Sequence, residues 1–201
     1  MIKLSDFIVR LRAMTHDERE IEYKDEDWIR YTNDALRFVR RIIFDIYPSM
    51  LADMLIDGFL TPPEKIIYLY ETPIHILNVR VDGKRLKLIN PHSDEWKEHN
   101  EPYGWYLLGF DKIRIMPAPK RYAFYEVTGV QDFQPLTKVE EFLPIPSEFE
   151  DFVSEYCVMR ASVTNEFNMQ DEAQFTVYIR QEIENRLKSF LVPGVDVRGY
   201  W

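Results

Sequence analysis

The stretch IHILNVRVDGKRLKLI, residues 74–89, decides the fold class. Its first half is rich in β-branched residues, and Asp82-Gly83 is a two-residue turn signal between two strands. In its second half Leu86 and Leu88 alternate with basic residues, which is typical of a strand with one face in water. The stretch therefore predicts a β-hairpin near the centre of the chain.

Further strands are predicted on both sides of this hairpin. Ile113 and Ile115 alternate with Lys112 and Arg114, so a second strand with one wet face follows. Aromatic and β-branched residues mark the others. The predicted strands span residues 66–70, 74–81, 84–89, 106–110, 112–115 and 122–130.

Helical periodicity flanks the sheet region. Residues 25–47 carry one apolar stripe and are followed by Pro48, which predicts a long amphipathic helix that ends there. The stripe consists of Trp28, Ala35, Val39, Ile42 and Ile46. Two more stripes predict helices over 152–167 and 175–190, with a break at 168–172.

Two shorter helices are predicted from their termini. Ser5 is a candidate N-cap for a first helix that runs through Leu11. Ser49 can cap a third helix, and Gly58 is placed to end it.

The predicted fold class is therefore α+β, a helical bundle with an inserted antiparallel β region. Residues 1–62 and 131–190 form one helical domain in this prediction, and 63–130 form the β region. Residues 191–201 have no helical pattern and are predicted to be a C-terminal arm.

Composition excludes several classes of protein. The chain has 201 residues, 46% of them hydrophobic, and a net charge of −9, which argues against general affinity for nucleic-acid phosphates. Cys157 is the single cysteine, so an intrachain disulfide is impossible and a reducing compartment is expected. The sequence shows no signal-peptide run and no apolar stretch long enough for a membrane span, so we expect a cytosolic protein.

No catalytic constellation can be recognised in the sequence. The four histidines lack the spacing of a helical metal pair, and the seven glycines form no phosphate loop. Cys157 lies in an apolar helical stretch, where a buried side chain is expected. Acidic clusters occur at 25–27, 140–141 and 148–151, and two of them begin helices, where carboxylates favour the helix dipole.

Charge is distributed unevenly along the chain. Residues 140–190 contain eleven acidic and four basic residues, a net charge of −7. The helix at 25–47 carries Arg30, Arg37 and Arg41 near one face. Local ion pairs on solvated faces explain this pattern, and so does an acidic face on one copy that meets a basic face on the next, head to tail. The candidate contact residues are Arg30, Arg37, Arg41, Glu148, Asp151 and Glu155.

Several short motifs, in their order and spacing, resemble a known family. In chain order they are Trp28, Asn33-Asp34-Ala35, Met116-Pro117-Ala118-Pro119, Leu143-Pro144-Ile145-Pro146, Tyr156, Arg160-Ala161 and Ala173. The pattern resembles the head-to-tail adaptor proteins of tailed bacteriophages, in particular the tail tubular protein A group of short-tailed phages. The resemblance covers roughly residues 20–190.

The resemblance implies a ring, typically of twelve copies, bound beneath the portal and offering a platform to the tail or nozzle. It implies a location in the virion neck after assembly in the host cytoplasm, no cofactor, no membrane, and genomic DNA passing through without specific binding. The family's C-terminal segment reaches the portal. By position this arm holds Val195, Val197, Arg198, Tyr200 and Trp201.

The polar loop 91–104 has no counterpart in that family, and its Trp96, His99 and Tyr103 are candidates for contact with a tail component.

Two alternative functions remain open. One is a metal-dependent hydrolase that uses acids from 140–151 with His92 or His99. The other is a cytosolic module with a small-ligand pocket. That pocket would be lined by Tyr103, Trp105 and Tyr106.

Overall fold

The computed structural model describes residues 2–17, 22–165 and 169–190, and this part of the chain is a mixed α+β structure, as predicted. It has four helices and two four-stranded sheets. The helices are α1 (Leu4–Thr15), α2 (Asp25–Ile46), α3 (Glu150–Asn165) and α4 (Met169–Phe190). The strands are β1 (Asp53–Leu60), β2 (Ile66–Tyr68), β3 (His75–Val81), β4 (Lys84–Arg85), β5 (Lys87–Leu88), β6 (Gly104–Leu107), β7 (Lys112–Met116) and β8 (Ala123–Val130).

The chain divides into two compact units. The first contains the described residues up to Tyr47 and those from Phe133 to Phe190. The second runs from Pro48 to Asp132. Residues 48–62, which were predicted to belong to the helical domain, are therefore part of the second unit.

Helix α2 packs against the three other helices of the first unit. Its predicted stripe is buried at Trp28, Ala35 and Val39, and the helix ends just before Pro48, as predicted. In α4 the predicted stripe is buried at Ile179, Ile183 and Leu187. Because α4 begins at Met169, most of the break predicted at 168–172 is helical.

Helix α1 begins without the predicted Ser5 cap. Its first residue is Leu4, and Ser5 lies inside the helix. The amide N–H groups of Leu4 and Ser5 donate to the carbonyl oxygens of Glu141 and Val139, each at 2.8 Å. Because a distant part of the chain satisfies these donors, the helix needs no side-chain cap.

The predicted third helix is wrong. Residues 48–51 form one 3₁₀ turn, and β1 then pairs with β8 along its length. Gly58 lies inside β1, where an added Cβ would stand 2.8 Å from the hydroxyl oxygen of Tyr125. The glycine therefore makes room for a tyrosine and does not end a helix.

In the second unit, one sheet has the strand order β1-β8-β3-β4 and the other β2-β7-β6-β5. The hairpin at Asp82-Gly83 is confirmed, with φ of 50° and 76°. All strand pairs described are antiparallel except β5 with β6, which are parallel, so the prediction of a purely antiparallel region is wrong there. Both sheets contribute to one apolar core. It contains Leu60, Ile67, Leu69, Ile76, Val79, Val81, Leu86, Trp105, Ile113, Ile115, Ala123 and Val127.

The strand predicted at 84–89 is two strands in different sheets. β4 belongs to the first sheet and β5 to the second, and Leu86 between them is buried. The amide N–H of Leu86 donates to the carbonyl of Val79 at 2.9 Å. The chain thus changes sheets at Leu86, and Leu88, predicted to face the core with it, is 63% exposed.

Candidate assembly surfaces

The basic side chains predicted for a contact between copies lie on the exposed face of α2. Arg30 is 3.0 Å from Asp27 and Arg37 is 3.4 Å from Asp34, each in an ion pair with a carboxylate one turn earlier. Arg41 is exposed at helical spacing from both arginines. Exposed pairs of this kind contribute little to stability. These arginines can therefore exchange a local partner for one on another molecule.

The acidic candidates lie just before α3 and in its first two turns, and they have basic neighbours within the first unit. Asp151 pairs with Arg10 at 2.7 Å, with both side chains exposed. The backbone carbonyl of Glu148 accepts a hydrogen bond from Arg186. Burial, and next the charge of Asp151, raise the pKa of Glu155. Basic side chains thus neutralise part of the acidic face that the sequence predicts.

The loop 91–104 is built around one 3₁₀ turn, Glu95–Glu98. The rings of His99 and Tyr103 stack with centroids 3.8 Å apart, so the structure brings these two candidates together. Trp96 is half-buried, and its indole N–H has no hydrogen-bond partner among the described residues. The loop thus places polar and aromatic side chains at the surface of the second unit.

The alternative small-ligand pocket is not formed by the residues proposed for it. Trp105 is only 6% exposed and belongs to the core shared by the two sheets. Successive side chains of a strand point to opposite faces, so Tyr106 lies on the other side of β6. Tyr103, Trp105 and Tyr106 therefore do not line one cavity.

The sequence analysis missed an exposed apolar surface, which we call the apolar tip. It comprises Tyr68, Tyr70, Leu107, Leu108 and Phe110. Tyr70 is 88% exposed and Phe110 is 81% exposed. Exposed apolar clusters are typical of surfaces that bind another molecule.

Backbone pairing holds the apolar tip together. Tyr68 lies opposite Lys112 in the β2–β7 pair, and the N–H of Leu69 donates to the carbonyl of Asp111 at 2.8 Å. Leu107 ends β6, and Leu108 and Phe110 lie in the β6–β7 turn, at the opposite end of β6 from the loop 91–104. The signal in the sequence was an apolar run at 107–110, which we assigned to a strand although most of it forms a turn.

The acids of the proposed hydrolase have structural partners. One carboxylate oxygen of Glu141 accepts hydrogen bonds from the amides of Thr137 and Lys138 and from the Thr137 hydroxyl. These bonds, led by those from Thr137, lower the pKa of Glu141. Over the ranges that the structure describes, no group of three or more His, Cys, Asp or Glu side chains could hold a metal ion. Glu141 thus stabilises a turn.

Cys157 is fully buried, and its sulfur lies 3.8 Å from the hydroxyl oxygen of Thr32. Burial raises the pKa of the thiol to about 12. At pH 8 the thiolate fraction is then about one part in ten thousand, and the thiolate is the reactive form. We expect iodoacetamide to label the native chain only at the rate at which it unfolds, and the urea-unfolded chain rapidly. Stoichiometric labelling of the native chain, measured by mass spectrometry, would contradict this burial.

The five candidate residues of the portal-docking arm lie outside the described residues. They are Val195, Val197, Arg198, Tyr200 and Trp201.

No helix within the described parts of the chain has the length and apolar character needed to cross a membrane.

Comparison with known proteins assigns no family to this chain. No family model matches the sequence, and no curated protein is significantly similar to it. The candidate surfaces therefore depend on the sequence and the geometry of the described residues.

Proposed function

We propose that this chain is a structural assembly protein, a head-to-tail adaptor in the neck of a tailed bacteriophage. Its helical first unit is a bundle into which the β unit is inserted, and copies of the bundle form a ring, typically of twelve. The ring binds the portal protein through the C-terminal arm and presents the β units to a tail or nozzle protein. Genomic DNA passes through the ring without specific binding.

The observation that carries the proposal is the exposure of the apolar tip on a unit with a complete core of its own. Burying such side chains against a partner removes apolar surface from water, at roughly 25 cal/mol per Å². The apolar tip and the loop 91–104 are two surfaces through which the β unit can bind neighbouring neck or tail proteins. A protein that works through such surfaces needs no catalytic group.

The motif residues behind the family resemblance also support the proposal, because two of them, Asn33 and Pro144, join separate parts of the first unit. Asn33 donates to the carbonyl of Leu136 at 2.9 Å and accepts from its amide at 2.8 Å. Arg40 donates to the carbonyl of Pro144 at 2.8 Å, inside the Leu143–Pro146 motif. Both contacts hold the segment before α3 against α2.

The first test is the mass of the chain, alone and mixed with the portal ring of the same phage, by native mass spectrometry. We expect a fixed number of copies of the chain to bind each portal ring. A single contact between copies is too weak to overcome the cost of association without a template. A chain that does not bind the portal would overturn the adaptor proposal.

Charge-swapped variants test the contact between copies. The variant Arg37→Glu/Arg41→Glu makes the arginine face of α2 acidic, like the face around the start of α3. The variant Glu148→Arg/Asp151→Arg makes the face around the start of α3 basic, like the face of α2. We expect either variant alone to decorate the portal poorly, since like charges meet at every contact. An equimolar mixture can alternate around a ring with an even number of copies, so we expect it to restore decoration.

The matched control for these swaps is Lys84→Glu/Lys120→Glu, which makes the same charge change as the first variant but lies in the second unit. We expect it to decorate the portal like the unmodified chain. If the two swapped variants also decorate normally, the ring contact lies elsewhere, while portal binding would still support the adaptor role.

A further inference from the structure

One face of the first sheet carries a row of four charges, one on each strand. Asp57 of β1 lies opposite Glu126 of β8, Glu126 lies opposite Arg80 of β3, and Arg80 lies opposite Arg85 of β4. Side chains in register across a sheet share a face. Asp57, Arg80 and Arg85 are exposed and Glu126 is half-buried.

This row lies on the side of the sheet away from its core. Val127 and Val79, the sequence neighbours of Glu126 and Arg80, are fully buried. Because adjacent side chains of a strand point to opposite faces, the charged neighbours point outward. The outer face thus has an acidic half on β1 and β8 and a basic half on β3 and β4.

The order of signs is unfavourable between neighbouring strands of this sheet. Two acids lie directly opposite each other, and so do two arginines, although like charges in such positions destabilise a sheet. Alternating signs across the four strands would give three attractive neighbours in place of one. Attraction between neighbouring strands therefore does not account for the observed order, whereas pairing with a second charged surface does.

An exposed aromatic cluster extends the acidic half. The rings of Phe59 and Tyr122 stack with centroids 4.7 Å apart, and Phe124 lies 5.1 Å from Phe59. Phe59 is 54% exposed and Tyr122 is 61% exposed. Phe59 lies two residues from Asp57 along β1, so the aromatic cluster is on the same outer face as Asp57 and Glu126. Guanidinium groups bind both carboxylates and aromatic faces, so the two halves are complementary.

We propose that this face binds the same face of a second copy, about a two-fold axis parallel to the strands. That rotation exchanges the two edges of the sheet and keeps the strand direction. The acidic and aromatic half of each copy then covers the basic half of the other. A two-fold axis perpendicular to the strands would instead place acids on acids, so charge selects one arrangement.

This pairing is separate from the head-to-tail ring and does not depend on the adaptor proposal. A two-fold contact closes after two copies and cannot by itself propagate around a ring. The face spans only four strands spaced about 4.8 Å apart, which places it at the small, weakly binding end of specific interfaces. We therefore expect reversible dimers that form as the concentration of the chain rises.

The experiment uses sedimentation velocity of the full chain over a concentration series, with two charge variants. Asp57→Arg/Glu126→Arg makes the row entirely basic, and Arg80→Glu/Arg85→Glu makes it entirely acidic. We expect the unmodified chain to dimerise and each variant alone to lose about 100-fold or more in association constant, because like charges face each other. An equimolar mixture of the two variants should form a heterodimer.

Three results would overturn the proposal. They are a monomeric unmodified chain at every concentration up to about 1 mM, unchanged dimers of either variant, and a mixture that does not associate. Circular dichroism checks that both variants fold, and Tyr122→Ser, which leaves the charges intact, should weaken the dimer as well. The ring-contact variants in the first unit should leave this dimer unchanged, so the two proposals fail separately.

Discussion

Replacing Arg12 by methionine is expected to lower the free energy of unfolding of the first unit by about 3–5 kcal/mol. Arg12 is 5% exposed, yet it carries a charge. Its guanidinium donates to Asp17 at 3.1 Å, to the carbonyl of Tyr23 at 2.9 Å and to Asp25 at 2.8 Å. It thus joins the end of α1 to the start of α2.

The cost arises mainly from Asp17, which is 4% exposed. Its carboxylate also accepts hydrogen bonds from the amides of Glu22 at 3.0 Å and Tyr23 at 3.1 Å. Methionine fills much of the space of the arginine but leaves this carboxylate buried without the guanidinium. A buried charge that loses its counter-charge is strongly destabilising, whereas the intact pair contributes little net stability.

Urea denaturation followed by circular dichroism of the helices measures the effect. The matched control is Arg10→Met in the same helix, because Arg10 pairs with Asp151 on the surface and should cost at most about 1 kcal/mol. The double variant Arg12→Met/Asp17→Asn also removes the buried charge of Asp17 and should recover part of the loss. If Arg12→Met costs no more than Arg10→Met, the buried pair is not important for stability.

The sequence could not predict this buried pair, although it predicted the helix beside it. Helix α2 follows from one apolar stripe and a terminal proline, and both signals act over short range. The burial of Arg12 depends on its contacts with the α1–α2 connection and the start of α2. An arginine in an amphipathic helix normally lies at the surface, so periodicity alone gives no reason to bury it.

The errors in the second unit have a different cause. The segment of β1, Asp53–Leu60, has little β-branched character and ends near a glycine, so its local preference does not specify a strand. Pairing with β8 determines its conformation, as is usual for strands. Leu86 and Leu88 alternate as in a single strand, but the chain changes sheets between them. Alternation predicts which face is buried only while the strand stays in one sheet.

The candidate surfaces were predictable only in part. Sequence periodicity placed Arg30, Arg37 and Arg41 on one exposed face, but it could not show that Asp27 and Asp34 pair with two of them. The apolar tip was missed because apolar runs are read as buried strands. Whether such a run is a core strand or an exposed turn depends on where the hairpin ends, and boundaries are the weakest part of a sequence prediction.

Replacing Trp28 by alanine should also destabilise the first unit, by about 3–5 kcal/mol. Trp28 is fully buried and is among the largest buried side chains described. Its ring centroid lies 5.1 Å from that of Tyr23 and 5.9 Å from that of Tyr31. Removing the indole leaves a cavity among aromatic rings, which can collapse only partly.

Trp28→Phe distinguishes packing from hydrogen bonding at this site. The indole N–H of Trp28 has no hydrogen-bond partner among the described residues. Phenylalanine keeps a ring against Tyr23 and Tyr31 and removes that unpaired donor, so we expect a loss of only about 1–2 kcal/mol. Tyr178→Ala, at a 52% exposed aromatic of the same unit, serves as the control and should change stability by no more than about 0.5 kcal/mol. If the phenylalanine variant is as unstable as the alanine variant in urea denaturation, packing of a ring against Tyr23 and Tyr31 does not explain why Trp28 stabilises the unit.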